Sequence, residues 1–214
     1  MKAMAIARQA AEVLVTLPLF AISPLLRPWH TRWGATSGEV RCAMPGDEQL
    51  PRAQFQATRA ISIAAPPCEV YQWILQVGFG RAGFYSYDLL DSLCRPSAER
   101  IVPELQAVNV GDWVPMSPTP TETTAFKVDS MEPPVSLLWR KPDSTWAWRL
   151  DPAGDGTRLV TRLRIVYDWR KPGSALLSVV LIEFGDFAMM RRMLKGIRRR
   201  AEAAARGRHP LAQM

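Results

Sequence analysis

Histidine and pairable cysteine are what this sequence has least of. Its two histidines, His30 and His209, sit near opposite ends of 214 residues, and its three cysteines, Cys42, Cys68 and Cys94, lie far apart with no C-x-x-C. A zinc site needs several such ligands converging and a disulfide framework needs an even set, so neither is supported and no metal or cofactor is expected. The thiols read as small buried or half-buried residues. A long apolar run is missing too. Residues 13–26, VLVTLPLFAISPLL, are almost wholly apolar, but there are 14 of them, interrupted by Pro18 and Pro24, where a membrane span takes about 20. Nor does most of the chain carry excess charge. Residues 1–190 hold 19 basic and 19 acidic groups, so the net charge of +7 comes from residues 191–214, with eight basic groups against Glu202. A nucleophile with a partner base is also absent, which argues against hydrolase chemistry without excluding proton transfer in a shaped pocket.

Three glycines are present at a suggestive spacing. Gly78, Gly80 and Gly83 in GFGRAG match G-x-G-x-x-G, but a pyrophosphate-binding turn must follow a strand and open a helix. Here the preceding residues 68–77, with Val70, Trp73, Ile74 and Val77 on one face, read as a helix started by Pro66-Pro67. The glycines therefore read as a joint at which one helix turns sharply into another.

The rest of the chain falls into a recognisable order. Met4, Ala7, Ala11, Leu14 and Leu17 recur at helical spacing, so residues 1–26 form an apolar or amphipathic segment. That segment suits contact with a membrane, docking on the domain, or export. Residues 27–52 read as a connector holding a short helix, with Thr36 and Glu39 as a capping box and Pro45-Gly46 as its stop. A strand follows in residues 54–65, then the helix before the glycines, then a second short helix capped by Ser86, with Asp88 in its first turn and Leu89, Leu90 and Leu93 buried. Five strand-like runs come next: NVGDWVPM, TTAFKVDSM, VSLLWRK, STWAWRLD and TRLVTRLRIVYDW. In the last, Leu159, Leu163, Ile165 and Tyr167 share an inner face, while Arg162 and Arg164 share one that faces water. A helix over residues 174–205 closes the chain with a stripe through Leu176, Val180, Phe184, Phe187, Met190, Leu194 and Ile197. At about 48 Å its Arg-rich end should project beyond the sheet.

This order predicts an α+β chain in which a curved antiparallel sheet grips one long C-terminal helix, with two short helices after the first strand. The motifs RPWHTRWGAT with Glu39, Pro45 to Asp47, TRAISIAAPP at Thr58 to Pro67, GRAGFYSYD at Gly80 to Asp88, RIVPELQ at Arg100 to Gln106, and VGDWV at Val110 to Val114 carry a resemblance. Over residues 27–205 the chain resembles the SRPBCC superfamily, also called START-like or polyketide cyclase/dehydrase-like, in an uncharacterised actinobacterial-type branch. The resemblance implies a helix-grip fold over residues 53–205, followed by a tail at 206–214, and a cavity between sheet and helix for a hydrophobic or ring-containing molecule.

Candidate ligand contacts follow. Trp139, Trp146 and Trp148 on neighbouring strands, with Met189, Met190 and Met193 on the helix, offer polarizable apolar surface, though each also suits plain core. Arg81, Tyr85, Tyr87, Asp88, Glu104 and Gln106 lie near the joint and linker and could orient a headgroup or serve structure alone. If the chain is an enzyme, Asp88 and Tyr87 are the candidates for proton transfer. Arg191, Arg192, Lys195, Arg198, Arg199 and Arg200 could draw the chain to an anionic membrane surface. Nucleic acid is not expected, since no aromatic residue is interleaved with these cations. The expected function is binding, sequestration or transfer of a hydrophobic small molecule or lipid in that cavity, at a membrane surface; the alternatives are a cyclase-type enzyme acting on a polyketide-like or aromatic substrate by proton transfer, and a membrane-attached interaction protein with a filled cavity. The expected location is cytoplasmic and membrane-associated, with a single-span anchor as an alternative.

Overall fold

The structure is a computed structural model that describes residues 26–167 and 172–208, with the side chains of 172–184 and 208 left aside. The expectations for residues 1–25, and for Leu176, Val180 and Phe184 on the helix stripe, lie outside what is described. Among the described residues no helix is long and apolar enough to cross a membrane.

Six antiparallel strands form one sheet in the order β1-β6-β5-β4-β3-β2. They are β1 (Phe55–Ile63), β2 (Trp113–Pro115), β3 (Ala125–Glu132), β4 (Ser136–Lys141), β5 (Ser144–Ala153) and β6 (Gly156–Ile165). The helices named here are α1 (Ser37–Arg41), α2 (Pro67–Leu75), α3 (Asp88–Asp91) and α4 (Pro172–Arg208); residues 26–30 are also helical, and a 3-10 turn spans Pro103–Leu105. Strands β2 to β6 are an up-and-down meander, and β1 returns from the N-terminal side to pair along β6, Phe55 facing Ile165 and Ile63 facing Thr157. Alternation along each strand sends Phe55, Ala57, Ile61, Val128, Leu137, Trp139, Trp148, Leu150 and Leu159 to the inner face, where they pack with Leu194 and Ile197 of α4. Helix α2 packs against both α4 and the inner side of β5 and β6.

The outer face is not wet. Residues 30–50 wrap over it, so the connector is a structural layer. Thr31 and Trp33 accept backbone hydrogen bonds from Thr58 and Ala60, which covers the free edge of β1. Met44 and Ala35 then pack with Ala60, Leu138, Ala147 and Val160 in a second small core. Arg162, expected to face water, is only 3% exposed. Its guanidinium donates to Asp47 Oδ2 at 2.5 Å, to Thr58 Oγ1, and to the carbonyls of Glu39 and Val40. Arg164 reaches Asp47 and the Leu50 carbonyl, and Arg158 grips Glu39 with two parallel bonds of 2.7 and 3.0 Å. A buried guanidinium needs partners for its donors, and the connector, with Thr58 of β1, supplies them. The same Glu39 completes the capping box with Thr36.

Other expectations also change. Leu90 and Leu93 are 53% and 64% exposed, while Asp91 is buried. Helix α3 has four residues and begins at Tyr87 without a side-chain cap, and positive φ at Leu93 and Cys94 turns the chain away. All three cysteines are exposed. The Arg-rich end of α4 does not project: Arg200 is buried and Ala201 fully so, and Glu202 accepts from the Ala64 amide.

Bonding to Arg158 holds the Glu39 carboxyl down at about 2, from an ordinary 4.5. A depressed carboxyl lends stability that is complete above its unfolded value and is lost as pH falls from about 4.5 to about 2. Urea unfolding followed across that window should show this loss, and Glu39→Gln should flatten it; an unchanged acid limb in the variant would contradict the clamp.

Candidate functional site

Between α4 and the sheet lies a cavity of about 410 Å³. Met189, Met190 and Met193 of α4 line one side and Trp146 of β5 the other; Phe84, Ser86, Leu90 and Asp91 come from the joint and α3, Met116 from the end of β2, and Gly185 and Asp186 from α4. The Trp146 indole N–H is spent on Thr161 Oγ1 at 2.9 Å, so the ring offers the cavity only its apolar surface. Phe126, Trp139 and Trp148 stack around it at 5.1–5.8 Å. These contacts fix the ring: Phe126 and Trp139 meet it edge-on and Trp148 lies tilted to it by 31°.

The two acidic groups on the lining have different circumstances. Asp186 is joined to Arg59 of β1 at 2.5 Å, and Arg59 also donates to the His30 carbonyl and lies over Phe187. Asp91 is 8% exposed. Its Oδ2 accepts from the Tyr87 amide at 3.2 Å, and its Oδ1 is buried with no hydrogen-bond partner among the described residues. Burial pushes the Asp91 carboxyl up to about 6, reinforced by Asp88 and opposed by Ser86, the Tyr87 amide and Arg192. A carboxyl in that range is within reach of either protonation state near neutral pH.

The architecture decides the fold. This chain is a helix grip. It is the fold implied by the resemblance to the SRPBCC superfamily. Solved structures similar to it include a polyketide-cyclase-like protein from Corynebacterium glutamicum, 17% identical over 72% of this chain and 96% of that one, with a TM-score of 0.47. A protein from Mycobacterium smegmatis is 12% identical over 72% and 92%, at 0.41, and one from Micromonospora echinospora is 18% identical over 69% and 84%, at 0.33. No protein-family model and no curated protein matches the sequence. The helix-grip assignment stands on the chain's own strand order and closing helix.

Of the residues singled out from sequence, Trp146 and Met190 line the cavity, as do Met189 and Met193. Trp139 and Trp148 lie behind them as core, with Trp148 Nε1 buried and without a hydrogen-bond partner among the described residues. The polar set lies outside the lining. Arg81 donates to the carbonyls of Leu75 and Leu105. Tyr85 donates to the Trp73 carbonyl and accepts from Gln76, and burial pushes its phenol well up. Gln106 donates to Gln76, and Glu104 is exposed. Tyr87 sits under the Arg192 guanidinium, 4.4 Å from its ring centre. Asp88 accepts from the amide and hydroxyl of Ser97 at 3.1 and 2.6 Å, which ties the linker to α3. Along the basic run, Arg200 is held by Glu99 and the carbonyls of Ala98 and Gly196, and Arg199 pairs with the same Glu99. Sequence reading missed Asp91 and Asp186; the available signal was the second acid in SYDLLD, three residues after Asp88.

Asp88 thus has a bonding role away from the cavity. Asp88→Ala should cost about 2 kcal/mol, the scale of hydrogen bonds to a charged group, while cavity occupancy stays as it was. A melt that does not move, or lost occupancy in folded protein, would contradict that role.

Proposed function

We propose that this protein binds and holds an apolar small molecule in the cavity between α4 and the sheet. The observation that carries it is the cavity itself, about 410 Å³ walled by Trp146, Phe84 and four methionines. That volume falls within the range of small-molecule pockets, roughly 300–1,000 Å³, and is not what a cavity filled by its own side chains would leave. Methionine and fixed aromatic surface accept varied apolar shapes, which favours sequestration or transfer of a hydrophobic molecule or lipid.

A second reading is kept by one specific group. Asp91, buried on the lining with a carboxyl raised to about 6, is placed to move a proton to or from a bound molecule, as a cyclase-type reaction would need. It takes the part that sequence reading gave to Asp88 and Tyr87.

The reading extends to an anionic membrane surface as the place of loading. Arg191, Lys195, Arg198 and Arg199 are exposed along α4, and each basic group near such a surface is worth about 1 kcal/mol. This reading takes Arg200 out of the expected set, because it is buried against Glu99.

Native mass spectrometry of gently extracted protein tests the central reading. A bound organic molecule is expected, with occupancy reduced severalfold by Met189→Trp, which crowds the lining. Protein that is empty and stays empty with a panel of apolar compounds would overturn it. Flotation with anionic vesicles, compared with neutral ones, reports the membrane part separately.

A further inference from the structure

A buried carboxyl in an apolar wall is an unusual expense unless something meets it. Asp91 is more than nine-tenths buried, lines the cavity, and leaves Oδ1 without a partner. The cations and acids around it are accounted for. Arg192 of α4 is turned to the Ser86 carbonyl and the Tyr87 ring. Asp88 of the same short helix is engaged with Ser97. Asp186 of α4, the other acid on the lining, is already matched by Arg59 of β1. Of the two carboxyls on the lining, Asp186 is in an ion pair with Arg59, while Asp91 feels the charge of Arg192 but leaves Oδ1 with no hydrogen-bond partner among the described residues.

Resting on the cavity-binding reading above, we propose that the molecule held there is an apolar amine whose ammonium group seats against Asp91. A charged donor compensates an ionised carboxylate in a low-dielectric wall far better than a neutral hydroxyl does, and an acidic ligand would add repulsion. The rest of such a ligand, chain or ring, packs against Trp146, Met116 and Met193. Since Asp91 changes charge near pH 6, the amine binds best above that value and loses affinity as pH falls through it, because protonated Asp91 offers no charge to pair.

Calorimetric titration with four matched compounds tests the proposal: 2-naphthylmethylamine, 2-naphthylmethanol, 2-naphthoic acid and 2-methylnaphthalene. At about pH 7.5 the amine should bind at least about tenfold more tightly than the alcohol and the acid more weakly than either. The preference should shrink severalfold at about pH 5, and Asp91→Asn, which keeps an acceptor for the Tyr87 amide, should abolish it. If that variant fails to fold by circular dichroism, the pH series on the unaltered protein decides. A neutral compound that binds while the amine gains nothing overturns the amine assignment and leaves the cavity reading standing. So does an amine preference that survives in folded Asp91→Asn. Failure of all four to bind defeats both readings together.

Discussion

Two of the attachments of helix α4 to the rest of the molecule bracket the cavity. One is the ion pair of Asp186 with Arg59, which pins the helix to β1 from a side chain 1% exposed. The other is Gly196, where the helix passes so close to the Tyr85 carbonyl and Cβ that a methyl group would collide with both. The ten residues separating these points rise about 15 Å. Met189, Met190 and Met193 fall in that span and line the cavity. Beyond it, Leu194, Ile197 and Ala201 pack against sheet and α2 with no exposed surface. The void is therefore bounded by attachment on both sides, and its depth follows from side chains long and unbranched enough to leave room.

The sheet can serve as the fixed wall because its other face is clamped. Three arginines at alternate or next-alternate positions of β6, Arg158, Arg162 and Arg164, point away from the cavity into carboxylates and carbonyls of residues 34–50. Buried ion pairs of this sort are weak as net stabilisers, but an unmet guanidinium would be costly, so each arginine selects one path for the connector. Three of the six motifs that carry the family resemblance fall here: Glu39, Asp47, Thr58 and Arg59 are clamp or strut residues. They specify the shape of the fold, which is why they say little about what it binds.

Much of the fold was legible for a simple reason. Period-two alternation survives wherever one face is buried against apolar side chains, so β1, β5 and β6 could be read from Phe55, Trp146, Trp148 and Leu159, and the later part of α4 from Met190, Leu194 and Ile197. The burial of Arg162 was not legible, because its partner Asp47 is 115 residues away and alternation alone cannot say whether water or protein covers the second face. Helix α3 failed in another way. Four residues are about one turn, too short for a stripe, so the apolar residues of DLLD gave no guide to which side faced in. The buried position went to Asp91 while Leu90 lies at the cavity with half its surface open.

That inversion joins shape to chemistry. Tyr85, with φ at 57°, and Leu93 and Cys94, at 49° and 65°, hold left-handed backbone on either side of α3, a conformation that costs energy for residues with a side chain. It persists because Tyr85 is locked by Gln76, the Trp73 carbonyl and Ser97, and Ser97 in turn by Asp88. The polar residues around the joint thus act at one remove from the cavity: they hold a short turn in an unfavourable backbone so that its last acid, rather than one of its leucines, faces the methionines. Sheet and helix alone give the wall one acid, Asp186, already paired with Arg59. The strained joint adds a second, Asp91, whose Oδ1 has no hydrogen-bond partner among the described residues.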